Sequence, residues 1–122
     1  MPFKRITVAP DYVSFYVAGK LSVEIPLDRE HRRIVATQDC INIPCLYWND
    51  GDTTITLGPF DEVDTATEPA FDGMLNTPDN KIILFDAVEP EMASAHVPAT
   101  QTRIRIWTNH PTEPDDVTIA WG

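Results

Sequence analysis

Apolar and polar residues alternate with a period of two along most of this chain, in short runs rich in β-branched and aromatic residues. The clearest is Thr102-Arg103-Ile104-Arg105-Ile106-Trp107, which sends Ile104 and Ile106 to one face and Arg103, Arg105 and Trp107 to the other. Val117, Ile119 and Trp121 repeat the apolar face in the last run, Asp116 to Trp121, so these two segments read as a closing hairpin. Similar runs span Phe3 to Val8, Tyr12 to Val17, Leu21 to Ile25, Arg33 to Ala36, Ile41 to Trp48, Thr53 to Leu57 and Lys81 to Asp86. Together they predict an all-β fold, an antiparallel β-sandwich of about nine short strands.

The residues between the runs support that reading. Asn49-Asp50-Gly51-Asp52 carries an Asp-Gly step flanked by strand formers, a hairpin signal because both residues tolerate positive φ. Ala18-Gly19-Lys20 plays a similar part before Leu21 to Ile25. Eleven prolines leave no Pro-free stretch longer than 17 residues, so a long helix has little room. Leu27 to Arg33 and Glu89 to Ala95 are short and lie beside proline, and are expected to be loops. Gly58 to Asn80 reads as one long loop, with three prolines and the carboxylates Asp61, Glu62, Asp64, Glu68 and Asp72. No repeat or linker divides the chain, and its 122 residues fit one domain, residues 1–122.

Charge changes the picture. Residues Asp50 to Glu91 hold eleven Asp or Glu against the single base Lys81, which accounts for the whole formal net charge of −10. Six of the nine bases lie in the first 36 residues, beside only four acids, so the chain is polar in charge as well as acidic. An anionic surface repels nucleic acid and anionic lipid, and it raises association rates with basic proteins. No apolar run approaches the ~18 residues of a membrane span, and the amino terminus lacks a signal-peptide core, so a soluble, cytoplasmic protein is expected.

The residues that could carry chemistry are sparse. Cys40 and Cys45 are offset by five, which on one strand sends them to opposite faces, so free thiols are expected rather than a disulfide. His31 stands at no recurring zinc spacing from them. The acidic stretch matches no calcium loop, and His31, His96 and His110 sit in expected loops without a nucleophile signature. No catalytic residue, metal site or cofactor is therefore assigned. Two candidate surfaces remain. One is the acidic set Asp61, Glu62, Asp64, Glu68 and Asp72, as a docking surface for a basic partner. The other is the stripe Arg103, Arg105 and Trp107, the residue types of interface hot spots, unless Asp116 neutralises it across the hairpin.

Ile6-Thr7-Val8 followed by Asp11-Tyr12-Val13-Ser14-Phe15-Tyr16-Val17 resembles the opening of the small bacterial proteins of the competence protein J family. The ending, Arg103-Ile104-Arg105-Ile106-Trp107 through Val117-Thr118-Ile119-Ala120-Trp121, resembles the close of the same proteins. The resemblance implies a compact β-sandwich and, for that family, an acidic inhibitor that binds a DNA-uptake nuclease. It covers the two chain ends and leaves the acidic middle without a counterpart. Polymorphic-toxin immunity proteins are a second class in which small acidic β-domains occur. The leading expectation is a non-enzymatic interaction protein, an inhibitor or immunity protein whose acidic stretch docks on a basic nuclease or toxin. The alternatives are a small-ligand or carbohydrate-binding sandwich using Trp48 or Trp107 as a stacking platform, and a structural subunit that assembles through its sheet.

Overall fold

Each alternating run has an apolar face to hide, and the described residues hide these faces by stacking ten strands as two sheets. The computed structural model describes residues 4–10, 13–27, 33–63 and 67–122. In chain order the strands are β1 (Lys4–Val8), β2 (Ser14–Ala18), β3 (Val35–Ala36), β4 (Cys40–Pro44), β5 (Thr53–Pro59), β6 (Phe71–Asn76), β7 (Lys81–Phe85), β8 (Ala93–His96), β9 (Gln101–Thr108) and β10 (Asp116–Trp121). The first sheet has the spatial order β1-β5-β10-β9-β6, and the second β3-β4-β2-β7-β8. The expected all-β sandwich is thus present, and β9 and β10 form the closing hairpin with Thr118 opposite Trp107. Among the described residues no helix is long and apolar enough to cross a membrane.

The pairings are antiparallel with one exception, β5 beside β10, which run parallel from Asp116 opposite Thr54 to Trp121 opposite Pro59. A parallel pair needs a long connection. Here the chain leaves β5, crosses to the second sheet through β7 and β8, and returns before β10. Between the sheets lies one core, to which the first contributes Ile55, Leu57, Leu75, Ile104, Ile106, Val117 and Ile119 and the second Phe15, Val17, Ile41, Ile43, Ile82 and Leu84. These positions follow the period of two, so alternation alone decides that the even-numbered members of β9 and the odd-numbered members of β10 face the core.

The outer faces of the two sheets differ. On the second sheet Tyr16, Ala18, Cys40, Ile83 and Phe85 form another apolar cluster, against which Val23 and Ile25 pack. The Asn42 amide also donates to the Pro26 carbonyl at 2.8 Å, which ties this strap to β4. The expected strand Leu21 to Ile25 is therefore a cover, and Ala18-Gly19-Lys20 closes no hairpin. Gly19 is needed for another reason, since a Cβ there would stand 2.4 Å from the Asn76 carbonyl oxygen. Cys40 faces this outer cluster and Cys45 the central core, as the odd offset requires, and both thiols are buried with no disulfide between them.

Three connections depart from expectation. Asn49 to Asp52 does not close a hairpin, because β4 and β5 belong to different sheets. It is a crossover containing a 3-10 turn, Trp48–Asp50, followed by Gly51 at φ 143°. The acidic stretch from residue 58 to 80 contains strand β6, paired to β9 from Phe71 opposite Ile106 to Asn76 opposite Gln101. Glu89 to Ala95, expected as loop, runs into β8, an edge strand of small residues. In the last two cases the local residues are weak strand signals and the pairing partner decides their state, while in the first the sheet pairing overrides a turn signal.

Two outcomes follow for the interior. Thr53 is fully buried and its hydroxyl has no partner among the described residues, so Thr53→Val should raise stability by about 1 kcal/mol in urea denaturation. Burial, reinforced by the Asp39 carboxylate, pushes the Cys40 thiol up to about 12. Neither cysteine should therefore react with a disulfide reagent at pH 8 until the protein is unfolded, and one prompt equivalent of reaction would contradict the packing described.

Candidate protein-binding face

Because the strap covers the second sheet, the outer face of the first sheet is the one left to solvent. Its rows follow from the register. Arg5, Thr56, Thr118 and Trp107 lie side by side, and the next row is Gly58, Ala120, Arg105 and Asp72. Gly58 and Ala120 are small, which leaves a trough in the face, and the chain fills it directly after β5. The 3-10 turn Phe60–Glu62 folds back so that the Phe60 ring covers the Arg105 guanidinium, 3.3 Å from ring centroid to the central carbon. Phe60 also stacks on Trp107 with centroids 6.3 Å apart and planes at 28°.

Trp107 is held from a second side, since its indole N–H donates to the Thr67 carbonyl oxygen at 2.8 Å. Phe60 and Thr67 bracket the acidic segment, and both rest on Trp107. The acids of that segment are thereby set along the Arg-Trp stripe. Asp61 and Glu62 are exposed on the turn, and Glu68 is exposed beside Thr67. Asp64 lies outside the described residues. Asp72 is on β6 within the sheet, and it meets Arg103 through two hydrogen bonds of 2.9 and 2.6 Å. The residue that neutralises the stripe is thus Asp72 on β6 and not Asp116, because β6 supplies the neighbour that the hairpin was expected to supply.

The electrostatics follow from these contacts. Bonding to Arg103 holds the Asp72 carboxyl below the usual carboxylate range, and Asp72 holds the Arg103 guanidinium above its own. The pair is solvent-exposed, so it contributes modestly to stability. Its contribution is present above the usual carboxyl pKa and lost as pH falls through the lowered value. Arg105 is displaced the other way, by burial first and by the neighbouring Arg103 second, with Asp72 opposing. Its Nη2 donates to the Gly122 carbonyl, while its buried Nε has no acceptor among the described residues and lies under the aromatic cover. Beside this cluster a groove of about 430 Å³ is lined by Phe60, Asp61, Arg103, Arg105, Trp121 and Gly122 among others. Met74, 53% exposed, adds an apolar side chain next to Arg103.

The two surfaces that the sequence offers as alternatives are therefore parts of one face. Phe60 and Met74 are the members that the sequence reading does not single out. The signal for Phe60 is present, an aromatic residue in an acidic stretch directly after Gly58-Pro59. Trp48, the other aromatic considered as a platform, is exposed on its crossover turn beside Tyr47, at the opposite end of β5 from Phe60. Among the described residues no group of three His, Cys, Asp or Glu converges as metal ligands would.

The class this geometry defines is a ten-stranded β-sandwich with one face strapped and the other open, bordered by acids. Known structures share the fold. The crystal structure of ComJ, inhibitor of the DNA degrading activity of NucA, from Bacillus subtilis, matches with a TM-score of 0.71 at 14% identity, over 97% of this chain and 93% of that one. The crocagin biosynthetic gene J product matches with a TM-score of 0.50 at 7% identity, over 98% of this chain and 94% of that one. At such identities the likeness is one of fold. No family model and no curated protein sequence matches the chain.

The role of Phe60 can be measured. Phe60→Leu keeps an apolar cover over Arg105 but removes the ring, and should cost about 0.5–1 kcal/mol in urea denaturation. An unchanged stability would mean that the stacking adds nothing to simple cover.

Proposed function

We propose that this chain is a non-enzymatic inhibitor or immunity protein that docks on a basic bacterial nuclease or toxin through the open face of its first sheet. The observation that carries the reading is the placement of Trp107. It is a partly exposed hot-spot residue type on β9 of the open face, with exposed acids on the segments that Phe60 and Thr67 attach to it. Such an arrangement separates two tasks. The acids accelerate encounter with a cationic surface, and the aromatic and apolar side chains hold the docked complex. The likeness to an inhibitor of a DNA-degrading enzyme supports the class of partner. A nuclease must present a cationic cleft to phosphate, which a surface of this sign complements. The contributing residues under this reading are Asp61, Glu62 and Glu68 for steering, with Trp107, Met74 and the Arg103–Asp72 pair in the contact. Asp64 belongs to the steering set by its place in the sequence.

The test is a DNA-cleavage assay with a basic secreted or competence-type nuclease from the same host, read with and without this protein. Stoichiometric protein should suppress cleavage. The variant Asp61→Asn, Glu62→Gln, Glu68→Gln should associate roughly tenfold more slowly, with its melting temperature unchanged. Trp107→Ala should weaken the complex by about 30-fold, mainly through faster dissociation. Raising salt from 0.1 M, where the Debye length is about 10 Å, to 1 M, where it is about 3 Å, should slow association of the wild type and leave the triple variant little changed. Absence of inhibition, or inhibition indifferent to both variants, would overturn the assignment.

A further inference from the structure

The first sheet ends at β6, and the register shows which backbone groups that edge leaves unpaired. The Gly122 N–H donates to the Arg103 carbonyl and the Asn109 N–H to the Asp116 carbonyl, so Arg103, Arg105 and Trp107 turn their backbone groups towards β10. By alternation those of Thr102, Ile104 and Ile106 point to β6, where they meet Leu75, Gly73 and Phe71. The Thr77 N–H, which donates to the Thr100 carbonyl at 2.9 Å, continues the same parity. The N–H and C=O of Asp72 and Met74 therefore point away from β9, and among the described residues nothing bonds to them. At the next outward position the edge is already in use. There the Asn76 N–H donates to the Gln38 carbonyl at 2.7 Å, and the Asn76 side-chain amide donates to Asp39 at 2.9 Å. The turn between β3 and β4 thus gives this edge one main-chain partner and stops short of Met74.

The other edges are short, capped or basic. β3 is two residues long, β8 has its Ser94 carbonyl taken by the Lys4 Nζ, and β1 carries Lys4 and Arg5. Short strands, lysines and covered backbone groups are the means by which edges are kept from pairing. β6 has six residues with neither lysine nor proline, and it exposes Met74 beside the unpaired groups. Its surroundings are acidic, since Glu68 before the strand, Asp39 on the Asn76 amide and Asp79 after the strand are all exposed. We propose that an extended, basic segment of the partner protein adds to the first sheet along β6, hydrogen-bonded to the main chain of Asp72 and Met74. This rests on the reading of the open face as the docking surface for a basic partner, and it names the element that holds that partner. Main-chain bonds supply affinity in such strand addition, and alternate side chains supply specificity. The added strand would extend the rows Arg105–Asp72 and Arg103–Met74 outward, with its lysines or arginines drawn by Glu68, Asp39 and Asp79.

The experiment is residue-resolved amide hydrogen exchange on the full chain, titrated with a hexapeptide of alternating lysine and valine and, as control, with one of alternating glutamate and valine. The lysine peptide should slow exchange of the Asp72 and Met74 amides several-fold. It should leave unchanged the Thr7 amide, which faces outward from the basic edge β1 because the Thr54 N–H bonds to Asp115 and so turns Ile55 towards Ile6. Met74→Pro removes the outward donor at an edge position where proline is tolerated, and should abolish the protection of Asp72. Met74→Val keeps the donor and should retain that protection. If the proline variant fails to fold, the wild-type exchange pattern with the two peptides by itself supports or overturns the pairing. The proposal is overturned if neither amide slows, if the glutamate peptide protects them equally, or if folded Met74→Pro responds as wild type does. It is equally overturned if both amides are protected in the free chain in proportion to its concentration, which would make the edge a contact between two copies. Because the probe is a peptide, a failure here removes the strand pairing alone, whereas absence of inhibition in the cleavage assay removes the proposed function.

Discussion

Fifteen buried side chains fill the layer between the two sheets, and every other feature of the molecule depends on that packing. Each Ile, Leu or Phe removed from water there is worth roughly 1.5–3 kcal/mol, so no strand can slip by one residue without exposing its apolar set. The layer therefore dictates the outside as strictly as the inside. Once Ile104 and Ile106 are in the core, Arg103, Arg105 and Trp107 must face outward. Once Phe71 and Leu75 follow, Asp72 and Met74 must stand beside them.

What distinguishes the two outer faces is the connection that each sheet receives. The segment after β2 carries Val23, Ile25 and Pro26 over the second sheet and closes it, with Cys40 sealed beneath. The segment after β5 brings back only Phe60, which covers Arg105 and leaves Trp107 partly open. A half-covered face is a poor solution for a core and a good one for an interface. Its aromatic and cationic members are held in place before any partner arrives, so less freedom is lost on binding. Trp107 joins the two parts, as the proposed contact residue and as the anchor on which Phe60 and Thr67 rest.

The charge distribution is read differently once these contacts are known. Of the described acids in the stretch from residue 58 to 80, Asp72 is tied to Arg103 within the sheet, while Asp61, Glu62, Glu68 and Asp79 are exposed. Under the proposed function, the acids that steer a partner are therefore those on the turns flanking Trp107.

The sequence by itself determined the all-β class, most strand positions, the closing hairpin, the face on which each residue of β9 and β10 lies, and the separation of Cys40 from Cys45. These are consequences of a period of two, which any segment carries within itself. It could not determine which strands are neighbours. Asp50-Gly51 has hairpin chemistry, yet it joins two sheets, because β5 gains more by pairing with β1 and β10 than by folding back on β4. Phe71 to Asn76 contains Asp72 and Gly73, weak strand formers, and became a strand because the exposed edge of β9 offered its backbone partners. Local pattern has no term for a partner 30 residues away. Only the tertiary structure could therefore bring Asp72 to Arg103, Phe60 to Arg105 and Thr67 to Trp107, and so make one face out of an acidic stretch and a basic stripe that lie apart in the chain.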